Sequence, residues 1–284
     1  MHICMKVIYV RSPQITGQDT TSFIGYFIVP CIFIMGKLNS ANLNIFTYET
    51  KVQKIMLARC ITGVALDIFI TNGLRFIAVS KGILIFCLNP LFCAIIAAIF
   101  LHEKITMISI SSTIGAFFGI YLLTLNRGQD SESSGHEILG YILVLGSAIC
   151  YGLLFVWLRA LSLFKINIFL SPFCFGMAIN IQTLTLLLFF PDMMHISTYD
   201  SVDLFYLCII GVTAVTGQQT MFLANRYAMA SKMAPISYLE NVFTLMADIW
   251  LFHYHFVSTD IFGMLVIVVC LAVPVTLQMS NKQI

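Results

Sequence analysis

Apolar residues fill this chain in long runs, separated by short clusters of charged and turn-forming residues. A helix needs roughly 20 residues to cross about 30 Å of hydrocarbon. Runs near that length place spans at 21–37, 57–76, 80–101, 105–125, 138–158, 168–190, 203–225, 229–252 and 259–278. The first is the weakest, being short and interrupted by Gly25, Pro30 and Gly36. Connections such as Arg75 to Ser80 and His102 to Lys104 turn the chain within few residues, which predicts a compact helical bundle. The alternating ten-residue segments of a transmembrane β-barrel are absent. The pattern predicts an all-α polytopic membrane protein of about nine transmembrane helices.

Composition strengthens that expectation. Of 284 residues, 59% are hydrophobic and 10% charged, against about 45–50% and about 25% in soluble domains. A net charge of +2 leaves no basic excess for nucleic acid and no acidic tail. The nine cysteines are scattered, most of them inside apolar runs, and form no CxxC pair. They read as small hydrophobes rather than as a disulfide framework or a zinc site. No N-x-[ST] sequon occurs, and the apolar stretch Met1–Val10 is too short for a signal peptide.

The charges also orient the spans. Lys37, Lys51, Lys54, Arg59, Lys104, Arg159, Lys165, Arg226, Lys232 and Lys282 fall on one side of the alternating loops. Lys6, Arg11, Arg75, Lys81 and Arg127 fall on the other, with most of the loop acids. The first side is expected to be cytoplasmic, and the C-terminus with it. The final Ser280-Asn281-Lys282-Gln283-Ile284 carries no retention signal, so an endomembrane and the plasma membrane are both compatible.

A polar linker at 126–137 (NRGQDSESSGHE) falls near the middle and divides the chain into 1–125 and 138–284. Sliding the sequence by 151 residues aligns Arg75-Phe76 with Arg226-Tyr227, Ser80-Lys81 with Ser231-Lys232, and His102 with His253. The polar matches carry the weight, since apolar ones recur by chance in any two membrane helices. The shift maps 168–190 onto 17–39, and 138–158 onto positions before the chain begins. The expected architecture is two five-helix repeats, the first lacking its opening helix. An odd number of helices inserts the halves in opposite orientation, as in many secondary transporters with midplane binding sites.

Ionisable groups at membrane depth are costly and ask for a reason. Asp67 lies midway along 57–76, Glu240 at the centre of 229–252, and Asn89-Pro90 at the centre of 80–101. The repeat pairs Asp67 with Gln218 and Asn89 with Glu240. With Tyr238, these five residues are the candidate substrate-binding set; hydrogen bonding that only locks helix packing is the competing reading. Asp248 reads as structural, and Arg226 as part of a solvated helix end. A mid-helix Pro90 would free a carbonyl or kink its helix. His102-Glu103-Lys104-Ile105-Thr106 begins like a zinc HExxH motif, but Thr106 stands where the second histidine is needed. Neither a phosphate loop nor a Ser-His-Asp set can be assembled, so no enzyme activity, metal or cofactor is expected.

Leu88-Asn89-Pro90-Leu91-Phe92, then Leu101-His102-Glu103-Lys104-Ile105-Thr106, Gly115 and Gly119-Ile120, resemble the end of an EamA-type repeat. Gly217-Gln218, the run Ala230 to Glu240 and Ile261-Phe262-Gly263 resemble the matching part of a second one. The chain is thus similar to the drug/metabolite transporter superfamily and, within it, to solute carrier family 35 members. That resemblance implies ten helices, alternating access, and export or exchange of a small metabolite. It departs from the pattern in the absent first helix and in His253-Tyr254, which replaces the acidic turn. The expected function is secondary transport of a small polar metabolite. The alternative is a non-transporting scaffold or a degenerate transporter paralogue. The expected partners are that solute and the lipid bilayer; nucleic acid is not expected, and a homodimer is compatible.

Overall fold

A computed structural model describes residues 4, 7–8, 11–12, 15, 17–74, 76–77, 82, 85–102, 107–124, 137–164, 166–189, 199–239, 242–243, 246, 259 and 261–270. Every regular element among them is helical. In chain order these are α1 (Gly17–Leu38), α2 (Thr50–Gly73), α3 (Asn89–Phe100), α4 (Met107–Thr124), α5 (Glu137–Leu163), α6 (Leu170–Phe189) and α7 (Ser201–Tyr227). The four-residue α8 (Ala230–Met233) then runs into a 3-10 turn at Ala234–Ser237, and α9 covers Ile261–Cys270. Among the described residues α1, α2, α5, α6 and α7 are long and apolar enough to cross a membrane. Ile34, Ile61, Ile181 and Phe189 are among many large apolar side chains left exposed, an outer surface suited to lipid rather than water. The chain is an all-α polytopic membrane protein.

The elements depart from the expected spans where backbone chemistry intervenes. The weak first span is a continuous 22-residue helix that accommodates Pro30. The expected 80–101 span is broken: residues 87–88 form a turn, and α3 begins at Asn89. Pro90 therefore lies in the first turn of a helix, where its missing N–H costs nothing, and does not kink a helix from within. The expected 229–252 span is interrupted around Pro235 by the 3-10 turn. Most of its later part, the 126–136 portion of the linker, and Glu240, Asp248, His253 and His255 lie outside the described residues.

The chain divides into two compact units. One comprises Met1–Asp67 with Trp157–Tyr227, the other Ile68–Val156 with Ala228–Ile284. In the first unit the 151-residue shift is visible in the helices themselves, since α2 and α7 start at Thr50 and Ser201. Gly25 of α1 and Gly176 of α6 are repeat equivalents, and each abuts the other helix at equivalent places. A methyl group on Gly25 would lie 2.6 Å from Ile179 Cγ2 and 2.6 Å from Asn180 Oδ1. One on Gly176 would lie 2.8 Å from Ile28 Cγ2 and 3.0 Å from Val29 Cγ2. Residues 28 and 29 are the equivalents of 179 and 180, so the α1–α6 contact is related to itself by a local twofold. Ile24, Ile28, Ile32, Leu207, Ile210 and Ala214 fill the core around it.

The second unit shows the same relation. Ser112 of α4 donates to the Cys270 carbonyl of α9. The equivalents of this pair, Gly263 and Gly119, also touch, a methyl on Gly119 falling 2.8 Å from the Gly263 oxygen. The Tyr238 hydroxyl donates to the carbonyl of Cys87, a residue 151 positions away. Two repeat-related residues thus contact one another directly. Cys87, Ala116, Ile120, Tyr238, Val242 and Ile267 form the core here.

Candidate functional site

The first unit contains two polar nodes on α2. In this helix Val52, Met56, Arg59 and Gly63 are buried at helical spacing, while Lys51 and Lys54 are exposed. Arg59 therefore lies in the stripe that packs inward, with only 2% of its surface accessible. Its Nη1 donates to the Ser171 carbonyl at 3.2 Å and its Nη2 to Gln218 Oε1 at 2.9 Å. The Phe175 ring lies 4.7 Å from the guanidinium carbon, close enough for a cation–π contact. Among the described residues no carboxylate pairs with Arg59, and its Nε has no hydrogen-bond partner. The neighbouring Ser171 hydroxyl oxygen is likewise buried without one.

The second node is Asp67, about 12 Å further along the same helix. Its Oδ1 accepts from the Thr21 hydroxyl at 2.9 Å and its Oδ2 from Gln182 Nε2 at 2.8 Å. Gln182 also reaches Gln18 Oε1 at 3.4 Å, and Thr183 donates to Ser22 at 2.9 Å. Asp67 thus accepts hydrogen bonds from both α1 and α6, which tie it to the two helices of the local twofold. The C-terminal end of α7 is closed differently. Arg159 donates to the Asn225 and Arg226 carbonyls at 2.9 and 3.1 Å, and Ser162 to Asn225 at 3.0 Å, satisfying the free carbonyls of that terminus. Arg226, half-buried, donates to the Ile166 carbonyl at 3.3 Å and has a structural role.

In the second unit Asn89 is buried, and its side-chain amide donates to the Phe86 carbonyl at 2.9 Å across the turn that starts α3. Its Oδ1 has no partner among the described residues. Tyr238 is 1% exposed and anchored to Cys87, two residues before Asn89. Gly152 of α5 lets the helices approach here, since a methyl would fall 3.0 Å from the Asn89 carbonyl oxygen.

The expected set is thus distributed. Asp67 and Gln218 belong to separate networks of the first unit, Asn89 and Tyr238 are neighbours in the second, and Glu240 lies outside the described residues. Sequence reasoning missed Arg59, which it counted with the loop charges because it stands at the very start of the expected 57–76 span. It also missed Thr21, Gln182 and Gln18. The available signal was the three- and four-residue spacing of Val52, Met56, Arg59 and Gly63, and glutamines inside otherwise apolar helices.

Comparison with known proteins adds three findings. A solved structure, titled only as a crystal structure of a protein, superposes with a TM-score of 0.79 at 12% identity, covering 99% of this chain and 94% of that one. This similarity speaks to the fold alone. The comparison with curated proteins returned no match. The profile of the EamA-like transporter family matches twice, over residues 4–125 and 138–276, and the two matches end at the same 151-residue offset that relates the helices. With both halves matched and the twofold contacts of each unit in the same register, the chain belongs to the EamA-like transporter family.

Proposed function

We propose that the protein is a secondary transporter that moves a small polar metabolite across a membrane by alternating access of two inverted repeats, without chemically altering it. Membership of a transporter family supports the general class. The carrying observation is that Arg59 lies buried within an apolar span and donates to neutral oxygens, with Asp67 further along the same helix. An ionisable residue at the centre of a membrane helix costs ~2.5–3.5 kcal/mol on insertion scales, which a packing role alone repays poorly. Thr21 and Gln182 orient the Asp67 carboxylate. Transporters of inverted-repeat design bind their cargo near mid-membrane, and both nodes fit that depth. The C-terminus is cytoplasmic in this reading.

Uptake of a solute panel into proteoliposomes tests it. Combining Asp67→Asn with Glu240→Gln should cut uptake at least about tenfold, as loss of a charged hydrogen-bonding partner does. Unchanged uptake in that double variant would remove the ionisable groups from the mechanism.

A further inference from the structure

The Arg59 node points to the charge of the cargo. Its guanidinium has five donors. Two are used on neutral oxygens, Ser171 O and Gln218 Oε1, and the Nε donor is unused. The adjacent Ser171 hydroxyl is a second unused, fully buried group that can donate. Both groups require an acceptor, and they lie beside a cation that has no carboxylate partner among the described residues. The Phe175 ring flanks the guanidinium on one side and excludes water from it.

The scaffold itself does not require a cation at this position. The repeat equivalent of Arg59 is Ile210, which is buried as completely, at 0% exposure, in an apolar core. The same helix position in the other repeat is therefore filled by a hydrocarbon side chain, and Arg59 marks a place where the halves have diverged in chemistry. Gln218 is a replaceable partner. It is only half-buried, and the neighbouring Gly217 has nothing within 4 Å of where a methyl would stand. An anion competes well for the guanidinium, because charge-assisted hydrogen bonds are roughly twice as strong as neutral ones.

We infer that Arg59, with Ser171 and Gln218, forms an oxyanion-recognition site, so that the transported solute carries a carboxylate or phosphate group. This rests on the transporter reading above and narrows it to anionic cargo. The anion displaces the Gln218 amide oxygen from Nη2 and accepts from Nε and from the Ser171 hydroxyl. No covalent change takes place.

The test uses full-length protein in proteoliposomes and in detergent, with five probes: inorganic phosphate, glucose 6-phosphate, 2-oxoglutarate, glucose and lysine. Uptake and the thermal midpoint are both read. The decisive variant is Gln218→Glu, which places a built-in carboxylate against the guanidinium and so retains the fold while occupying the site. At least one anion should raise the midpoint and enter the vesicles. Gln218→Glu should reduce that uptake about tenfold or more at an unchanged or higher midpoint. Arg59→Lys should keep the response with a raised KM, since a point charge replaces the planar fork. Glucose 6-phosphate and 2-oxoglutarate separate phosphate from carboxylate recognition. If glucose or lysine is carried equally by wild type and Gln218→Glu while no anion acts, the anion site is refuted and the transporter reading stands. Anion uptake indifferent to both substitutions also refutes it. If no probe is carried and none raises the midpoint, both readings fall.

Discussion

Adding one methyl group at Gly176 should separate the two helices that carry the local twofold of the first unit. The new carbon would sit 2.8 Å from Ile28 Cγ2, 3.0 Å from Val29 Cγ2 and 3.3 Å from Ile28 Cβ. Carbon atoms pack best at about 3.5–4.0 Å, so relief requires roughly 1 Å of movement. Ile28 and Val29 are β-branched and hold essentially one rotamer in a helix, so the backbones rather than the side chains must yield. Overpacking of this kind costs about 1–3 kcal/mol, offset by ~1 kcal/mol from replacing glycine with alanine in a helix. Gly176→Ala is therefore expected to destabilise by about 1 kcal/mol. Gly217→Ala supplies the matched control, since nothing lies within 4 Å of its added methyl. It should stabilise by about 0.5–1 kcal/mol. The difference isolates the steric cost. Equilibrium unfolding in mixed micelles gives both values. Gly25→Ala should behave like Gly176→Ala. The double variant should cost less than the sum, because one displacement of α1 from α6 relieves both clashes. If Gly25→Ala and Gly176→Ala stabilise as Gly217→Ala does, the close approach of the two helices is refuted.

Three further outcomes are expected. Tyr238→Phe leaves the Cys87 carbonyl without its hydroxyl donor and should destabilise by about 1–3 kcal/mol in the same unfolding assay. Ser40, at φ 51° just after α1, adopts a left-handed conformation. Ser40→Gly should thus raise stability by about 0.5–1 kcal/mol, the left-handed penalty less the entropy of glycine. Asp203 is 1% exposed and accepts from Ser12 Oγ at 2.8 Å; the half-exposed Arg11 pairs with Asp200 at 2.9 Å and, more loosely, with Asp203 at 3.5 Å. Asp203→Ala should cost ~1–3 kcal/mol, and Arg11→Gln less than about 1 kcal/mol with a dependence on salt.

The helical architecture and the duplication were legible because both depend on residue spacing. A long apolar run is sufficient to specify a spanning helix, and the 151-residue shift recovers equivalent helix starts at Thr50 and Ser201. What could not be read was the meaning of the small residues. Gly25 and Gly36 counted as interruptions of a weak span. Gly25 instead permits the α1–α6 approach, and its match with Gly176 was the most informative pair in the shift. Proline position was ambiguous in the same way, since Pro90 suits either a kink or a helix start, and only the turn at 87–88 decides. Arg59 was hidden by its charge. Hydropathy assigns a charged residue to the end of a span, and nothing in one sequence reveals that α2 begins two turns earlier, at Thr50.

The contact between Tyr238 and Cys87 bears on how such a chain arose. Residues related by a twofold touch each other only at the axis, where two copies of one subunit would have to place the same side chain twice. The bond is one-way, from the Tyr238 hydroxyl to the Cys87 backbone carbonyl, so the two halves do not contribute alike. A large residue opposite a small one is a solution open only to halves with separate sequences. With the repeats in one polypeptide, the second unit holds an unequal contact unavailable to any dimer of identical subunits.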